Sequence, residues 1–166
     1  MDNLTHLAAE PLTRMLGAAL KARGLMLVLA ESCTGGLASA AITEIPGSSA
    51  WFDRGFVTYS NAAKIEMLGV SAETLEKFGA VSEETAREMA LGAIKHSKAQ
   101  VAISITGIAG PSGGTPEKPV GTVCFAWACA GKVNSATKKL SGNRQQTRYL
   151  SVVTAFSELL KLLAAN

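Results

Sequence analysis

Apolar positions along the chain change their spacing from one segment to the next, and the spacing predicts the elements. Residues 4–22 carry apolar side chains at helical spacing and end at Gly24, so a helix with a natural stop is predicted there. The uninterrupted apolar run 25–29 is typical of a strand covered on both faces of a sheet. A second helix is predicted over about residues 35–45, and a second strand over residues 55–60.

The same alternation continues beyond residue 60. Ser60 or Asn61 is predicted to cap a short helix that ends near Leu68, and Ser82 to cap a longer helix that runs to about His96. A buried strand follows at residues 101–105, and then a glycine-rich loop at residues 106–114.

The last third of the chain predicts a hairpin followed by a helix. Residues 120–130 and 132–140 have the pattern of two strands around Gly131, the second polar enough for a sheet edge. Asn143 is predicted to cap the terminal helix. The apolar stripe predicted for that helix is Leu150, Val153, Phe156, Leu160 and Leu163.

Alternating strands and helices favour an α/β fold with a mixed, mainly parallel sheet between helix layers. A length of 166 residues, of which 48% are hydrophobic and 17% charged, fits one well-filled core, so residues 1–166 are expected to form one domain. Ligands of such folds bind at the carboxyl ends of the strands. Ser32, residues 59–61 and residues 106–110 all fall at predicted strand ends.

Composition and charge narrow the function classes. The net charge of +3 is dispersed, and only 5% of residues are aromatic, which disfavours nucleic acid and favours a small anionic ligand. No apolar run approaches the roughly 18 residues of a membrane span, and no signal peptide is evident, so we expect a soluble, unexported, cytoplasmic chain with no membrane partner. The three cysteines lack C-x-x-C spacing and are expected to be free thiols. His6 and His96 lie in no ligand-spaced cluster, so no metal is expected. The chain has neither familiar nucleotide-binding glycine pattern, which disfavours a Rossmann cofactor site, and no cofactor is expected.

Ser32 is the most informative residue of the sequence. It lies at a predicted strand-to-helix turn, followed by Gly35 and Gly36, where the first helical amides have no partner within the helix. A hydroxyl beside free N–H donors and the positive end of a helix dipole suits attack on a carbonyl, and it suits phosphate binding equally well. The residues alone leave both uses open.

A serine nucleophile needs a base, and the candidates are Lys64, Glu31 and Tyr59. Lys64 is preferred because it lies in the first turn of its predicted helix, where the dipole and partial burial would lower the pKa of the lysine. Tyr59 could orient the pair or relay a proton.

Several further residues could bind the substrate. Gly35 and Gly36 would donate N–H groups to an oxyanion, and Thr34 its amide or hydroxyl. The loop at residues 106–114 could hold a phosphate or be a flexible connection, and it contains neither of the familiar nucleotide-binding glycine patterns. Arg144, in the first turn of the last helix, could bind a phosphate.

Four ordered motifs together resemble the CinA C-terminal domain family over nearly the whole chain. They are Ala30-Glu31-Ser32-Cys33-Thr34-Gly35-Gly36; Gly55-Phe56-Val57-Thr58-Tyr59-Ser60-Asn61 with Lys64; Ala80-Val81-Ser82; and Ser104-Ile105-Thr106-Gly107-Ile108-Ala109-Gly110-Pro111 with Lys118-Pro119-Val120-Gly121-Thr122-Val123.

The resemblance implies a three-layer α/β/α sandwich without a metal and an amidohydrolase that converts nicotinamide mononucleotide and water to nicotinate mononucleotide and ammonia. Many relatives carry this domain behind a larger N-terminal domain, and the stand-alone form is expected here. The residues implied are Ser32 as nucleophile, Lys64 as base and Tyr59 nearby, with Thr34, Gly35, Gly36, Thr106, Gly107 and Arg144 at the oxyanion or the nucleotide.

Two function classes follow from the sequence. One is a serine amidohydrolase that acts on a pyridine nucleotide, and the other is a non-catalytic nucleotide-binding or regulatory module of the same fold. The expected partner is a small nucleotide substrate, and the working expectation for assembly is a homodimer.

Overall fold

Helices and strands alternate along the part of the chain that the computed structural model describes, residues 3–165, with side chains described from residue 9 onward. The helices are α1 (Asn3–Ala22), α2 (Leu37–Thr43), α3 (Asn61–Leu68), α4 (Ala72–Phe78), α5 (Glu83–Lys95) and α6 (Arg144–Ala164). The strands are β1 (Leu27–Glu31), β2 (Phe52–Val57), β3 (Val101–Gly107), β4 (Thr122–Cys129) and β5 (Lys132–Lys139). Within these bounds, no helix combines the length and the apolar character that crossing a membrane requires.

The five strands form one sheet in the order β2-β1-β3-β4-β5. Strand β1 pairs in parallel with β2 and with β3, whereas β4 pairs antiparallel with β3 and with β5. Strand β4 is therefore antiparallel to the other four strands. This confirms the mixed, mainly parallel sheet, and the β4–β5 hairpin places β5 at the edge as predicted.

Helix layers cover both faces of the sheet. Side chains of β1 point alternately to opposite faces, so this strand contributes to a core on each side. Leu27 and Leu29 pack into one core cluster with residues of α1, α2 and α6. Val28 and Ala30 pack into a second cluster with residues of α3, α4 and α5. All five residues of β1 are buried, as expected for a central strand. The three-layer sandwich is confirmed.

Several strand boundaries differ from the sequence prediction. Strand β3 continues to Gly107, so Thr106 and Gly107 lie in the strand and not in the predicted loop at residues 106–114. Strand β1 occupies residues 27–31 instead of 25–29, and it includes the buried Glu31 at its end. Strand β2 occupies residues 52–57 instead of 55–60, so Tyr59 lies beyond the strand. Strand β2 is a half-exposed edge strand, where Asp53 and Arg54 can face solvent. A prediction based on apolar runs missed the start of this strand because these residues are polar.

The buried faces of the two long helices also differ in part from the predicted stripes. Leu150 of α6 is 36% exposed and Met15 of α1 is 61% exposed. Small and polar residues of α6, such as Thr147 and Ser151, are buried instead, and the Ser151 hydroxyl donates to the Thr147 carbonyl. Short side chains allow α6 to approach its neighbours closely, so the buried face is not the most apolar one.

Helix α5 packs closely against the end of α3 at a glycine. A Cβ atom at Gly92 would collide with the Leu68 carbonyl at the end of α3. This close contact matters for the site because α3 carries Lys64.

Candidate active site

Ser32 lies directly after the central strand β1, at the carboxyl edge of the sheet. Its amide donates to the Ile105 carbonyl of β3 at 2.9 Å, and its own carbonyl accepts from the Gly35 amide at 3.0 Å. The residue is 8% exposed. Pairing with β3 therefore fixes the backbone of the predicted nucleophile at the position where the strand gives way to the turn.

Lys64 reaches Ser32 from the first turn of α3. The Ser60 side chain caps this helix by accepting from the Ala63 amide, so of the two predicted caps, Ser60 and Asn61, it is Ser60 that serves. The Nζ atom of Lys64 lies 3.1 Å from the Oγ atom of Ser32, and it donates to the Thr58 carbonyl at 3.0 Å. Only 1% of Lys64 is exposed. The two residues, 32 positions apart in the chain, form a buried pair.

Burial lowers the pKa of Lys64 from its ordinary value, because a charged ammonium loses its hydration inside the protein. Cys33 acts weakly in the opposite direction. Burial also raises the pKa of the Cys33 thiol to about 11, so this thiol is protonated at neutral pH. The neighbouring cysteine is therefore poorly suited to act as nucleophile, and the lowered lysine pKa favours the neutral amine that a base requires.

The Glu31 carboxylate is committed to a structural role. One of its oxygens accepts from the amides of Gly36 and Ala38, both at 3.0 Å, and the other accepts from the amide and hydroxyl of Ser39 at 2.8 and 2.7 Å. It is fully buried. Of the three candidate bases, Glu31 is thus occupied at the N-terminus of α2.

This arrangement changes what the turn offers to a ligand. The Gly35 amide donates to the Ser32 carbonyl and the Gly36 amide to Glu31, so in this structure both donors are engaged within the chain. Thr34 is fully buried, and its hydroxyl has no partner among the described residues. The Cys33 amide, directly after the nucleophile, donates to no other residue of the described part.

Arg148 supports the turn from α6 and was not foreseen from the sequence. Its guanidinium donates to the Cys33 carbonyl at 3.1 Å and to the Thr34 carbonyl at 2.8 Å. The available signal was its position four residues after Arg144, which places both arginines on one face of a helix.

Thr106 and Arg144 complete the surroundings of the pair. The hydroxyl of Thr106, which is 1% exposed, donates to the Ala80 carbonyl at 2.8 Å. Arg144 donates to the Gly110 carbonyl at 2.9 Å and to the Tyr59 hydroxyl at 3.2 Å. Tyr59 is 63% exposed, so it lies at the opening of the site rather than beside Lys64 Nζ.

A cavity of about 190 Å³ joins these residues. Among the described residues, its lining includes two basic residues, Lys64 and Arg144, and no aspartate or glutamate, which favours an anionic ligand. Asn61 also lines it and was not predicted as a site residue. The full lining is Ser32, Cys33, Tyr59, Asn61, Lys64, Ala80, Val81, Thr106, Gly107, Ala109 and Arg144.

The cavity thus gathers six of the nine predicted site residues, whereas Thr34, Gly35 and Gly36 do not line it. A larger cavity of about 510 Å³ lies alongside, bordered by α5 and the β4–β5 hairpin, and Val81 lines both. The larger cavity is lined by Glu83, Glu84 and Glu117. Its serine and lysine, Ser82 and Lys118, donate to the Gly79 and Phe78 carbonyls and not to each other. The chemistry therefore favours the smaller cavity as the site.

The side chains described, those of residues 9–165, include no group of three or more His, Cys, Asp or Glu that could hold a metal ion. Cys33, Cys124 and Cys129 are free thiols.

The fold and the site together define an α/β protein with a buried serine–lysine pair at the carboxyl edge of its sheet. The model of the CinA C-terminal domain matches residues 9–163, and this chain belongs to that family.

Two curated relatives match over most of their length. The nicotinamide-nucleotide amidohydrolase PncC of Enterobacter agglomerans is 58% identical over 151 residues, which cover 88% of this chain and 92% of the relative. The protein of the same name from Escherichia coli strain K12 is 52% identical over 156 residues, which cover 93% of this chain and 94% of the relative.

Solved structures agree on the fold. The competence/damage inducible protein CihA from Agrobacterium tumefaciens superposes with a TM-score of 0.90 at 50% identity, covering 93% of this chain and 95% of that one. A CinA superfamily protein from Klebsiella pneumoniae 700603 gives a TM-score of 0.92 at 39% identity, covering 95% of this chain and 99% of that one.

Proposed function

We propose that this protein is an amidohydrolase that converts nicotinamide mononucleotide and water to nicotinate mononucleotide and ammonia, with Ser32 as nucleophile and Lys64 as base. The observation that carries the mechanism is the 3.1 Å separation of Ser32 Oγ and Lys64 Nζ in a buried pair that lines a cavity. The names of the relatives that are 52–58% identical support the substrate.

The first step is attack on the carboxamide. In its neutral form, Lys64 donates one N–H to the Thr58 carbonyl, and its lone pair accepts the proton of the Ser32 hydroxyl. The serine oxygen bonds to the carboxamide carbon, and the electrons of the C=O π bond move to the oxygen. A tetrahedral oxyanion results, with the proton held on Lys64.

The second half of the reaction returns that proton. When the C–N bond breaks, the Lys64 ammonium protonates the leaving nitrogen, and ammonia departs from an acyl ester on Ser32. A water molecule then attacks the ester carbon, and Lys64 accepts a proton from the water. Collapse of the second tetrahedral intermediate transfers that proton to Ser32 and releases the product as its carboxylic acid, which then gives its proton to ammonia or to water and becomes nicotinate.

The oxyanion needs an amide that donates to no other residue, and among the described residues the Cys33 amide donates only to its own thiol. We assign this role to the Cys33 amide, which follows the nucleophile directly and belongs to a residue that lines the cavity. Gly35 and Gly36 keep a structural role in this proposal, since their amides donate within the chain. Thr34 presents its carbonyl to Arg148, which supports the turn.

The phosphate of the nucleotide is assigned to Arg144. This exposed arginine is oriented by the Gly110 carbonyl and the Tyr59 hydroxyl, so its guanidinium is held at the edge of the cavity. A guanidinium binds phosphate oxygens through charge-assisted hydrogen bonds. Gly107 contributes backbone surface to the same wall.

The test is release of ammonia from nicotinamide mononucleotide, with free nicotinamide as the control substrate. We expect the wild-type protein to release ammonia from the nucleotide, and Ser32→Ala to abolish release while the variant stays folded and binds the nucleotide. Ser151→Ala, a buried serine of α6 outside the cavity, is the matched control and should keep near wild-type turnover. Near wild-type turnover by Ser32→Ala would contradict the mechanism.

The alternative class gives a different result in the same assay. A nucleotide-binding or regulatory module would bind nicotinamide mononucleotide without releasing ammonia. The homodimer and the cytoplasmic location expected from the sequence stay predictions. Light scattering after size-exclusion chromatography tests the first, and cell fractionation the second.

A further inference from the structure

We propose that Thr106 recognises the amide group itself, by accepting a hydrogen bond from the NH₂ of the substrate carboxamide, and so distinguishes a primary amide from an ester and from the acid product. This inference rests on the proposed function and assigns a specificity role within the same site.

The hydroxyl proton of Thr106 is already committed. Thr106 Oγ1 lies 2.8 Å from the carbonyl oxygen of Ala80, and a carbonyl can only accept, so the hydroxyl must donate in this bond. The residue is 1% exposed, so the hydroxyl is held away from bulk solvent. What Thr106 can offer to a ligand is therefore an acceptor lone pair and not a donor.

Thr106 is also placed beside the reacting group. It directly follows Ile105, whose carbonyl accepts from the Ser32 amide at 2.9 Å, and it lines the same cavity as Ser32 and Lys64. The nitrogen of a carboxamide attacked by Ser32 therefore has an acceptor available on the neighbouring strand.

The consequence is chemical selectivity at one atom. A primary carboxamide carries two N–H donors, whereas an ester and a carboxylate present only oxygen lone pairs to Thr106. A group built to receive a donor disfavours an analogue that lacks it, since both atoms are then left without a partner. The same contact holds the leaving nitrogen during attack and disfavours the carboxylate that forms, which helps to release the product.

Ser104 of β3 provides a matched control for the structural role of the hydrogen bond between Thr106 and Ala80. Ser104 lies two residues earlier on the same face, is fully buried, and donates to the Ala86 carbonyl at 2.6 Å. It does not line the cavity. Ser104→Ala therefore removes a similar tether between β3 and α5 without changing the site.

The experiment compares kcat/KM for nicotinamide mononucleotide with kcat/KM for the methyl ester of nicotinate mononucleotide, and measures inhibition by nicotinate mononucleotide. The proteins are the wild type, Thr106→Val, Thr106→Ala, Thr106→Ser and Ser104→Ala. We expect Thr106→Val and Thr106→Ala to lower the amide-to-ester ratio about tenfold and to bind the acid product more tightly. Thr106→Ser keeps the hydroxyl and should restore the wild-type ratio, and Ser104→Ala should leave it unchanged even if the variant is less stable.

A parallel loss on the amide and the ester, with unchanged product inhibition, would overturn this inference and reduce Thr106 to a structural tether. Failure of the proposed function is distinguishable, because the wild-type protein would then release no ammonia at all. The alanine variant keeps the test available if the valine variant does not fold.

Discussion

At the scale of single residues, burial gives Lys64 its chemistry. A solvated lysine remains protonated at neutral pH and cannot accept a proton. Lys64 is 1% exposed, and its Nζ is held by the Thr58 carbonyl beside Ser32. The residue that the sequence favoured as base is therefore in an environment that suits the task, although the role itself stays a prediction.

The variant Lys64→Arg distinguishes two roles of Lys64: a base that accepts a proton, or only a positive charge that attracts the nucleotide. A guanidinium keeps the positive charge but does not lose its proton near neutral pH, so turnover should fall by about 10²- to 10⁴-fold while the nucleotide still binds. Turnover number and nucleotide affinity are measured together, with circular dichroism to confirm folding. Lys95→Arg, an exposed lysine at the end of α5, is the control. Substantial turnover retained by Lys64→Arg would remove Lys64 from the list of catalytic residues.

The lowered pKa of Lys64 also predicts a pH profile. The neutral amine is the active form, so kcat/KM should rise with pH along a single limb whose midpoint lies below the ordinary lysine value of 10.5. A midpoint at or above 10.5 would contradict a buried lysine base.

The same pKa shift affects stability. Between the lowered pKa and 10.5 the unfolded chain binds more protons than the folded one, so the free energy of unfolding should gain from Lys64 as pH rises through that window. As pH falls through the lowered pKa, this contribution is lost. Denaturant unfolding of the wild type and Lys64→Met at several pH values measures it, since the methionine variant should lack this component.

At the scale of elements, the turn between β1 and α2 depends on Glu31. Its two carboxylate oxygens accept four hydrogen bonds at the start of α2, and this fixes the segment that carries Ser32. A seven-residue helix has little stability of its own, so such contacts decide whether its first turn is ordered.

Glu31→Gln should therefore cost stability and activity together. Its NH₂ group would face N–H donors, which leaves buried amides without an acceptor and lowers the free energy of unfolding by about 1–3 kcal/mol. The ammonia-release rate should fall as well, because the turn positions the nucleophile. Glu44→Gln, an exposed glutamate at the other end of α2, should change stability by no more than about 0.5 kcal/mol. Equal stability of the two variants in urea would show that Glu31 does not hold the turn.

At the scale of the whole molecule, the site is assembled from segments far apart in the chain. Ser32 and Lys64 are 32 positions apart, and Tyr59 and Arg144 are 85 apart. The parallel strands β1, β2 and β3 bring their carboxyl ends to one edge of the sheet, and α6 returns to that edge with Arg144 and Arg148.

A metal-independent reaction is predicted at this scale. The sequence has two histidines outside any ligand cluster, and no side chains of residues 9–165 gather as a metal site, so activity should survive exhaustive treatment with EDTA. Ammonia release is measured before and after chelation and dialysis. A loss that one specific divalent ion restores would show that the substrate and carboxylates build a site together.

Local features of the chain were predicted well, because they depend on residues within a few positions of each other. Asn143 forms a capping box with Gln146, and Ser82 caps α5, both as side-chain chemistry near a helix start requires. The alternation of apolar strands and amphipathic helices indicated the layered α/β fold. Ser32 and Lys64 were predicted as a pair from their places at a strand end and in a first helical turn, and the two side chains lie in contact, while their catalytic roles stay predictions.

The tertiary structure decided which groups form hydrogen bonds with each other and which side chains are buried. Whether the amides of Gly35 and Gly36 are free depends on where the Glu31 carboxylate points, and the sequence shows only that it is near. The support from Arg148 and the exposure of Leu150 likewise depend on how α6 docks against distant segments. A pattern records what each residue prefers, but a hydrogen bond or a buried face also needs a partner, and the packing of segments far apart in the chain supplies it.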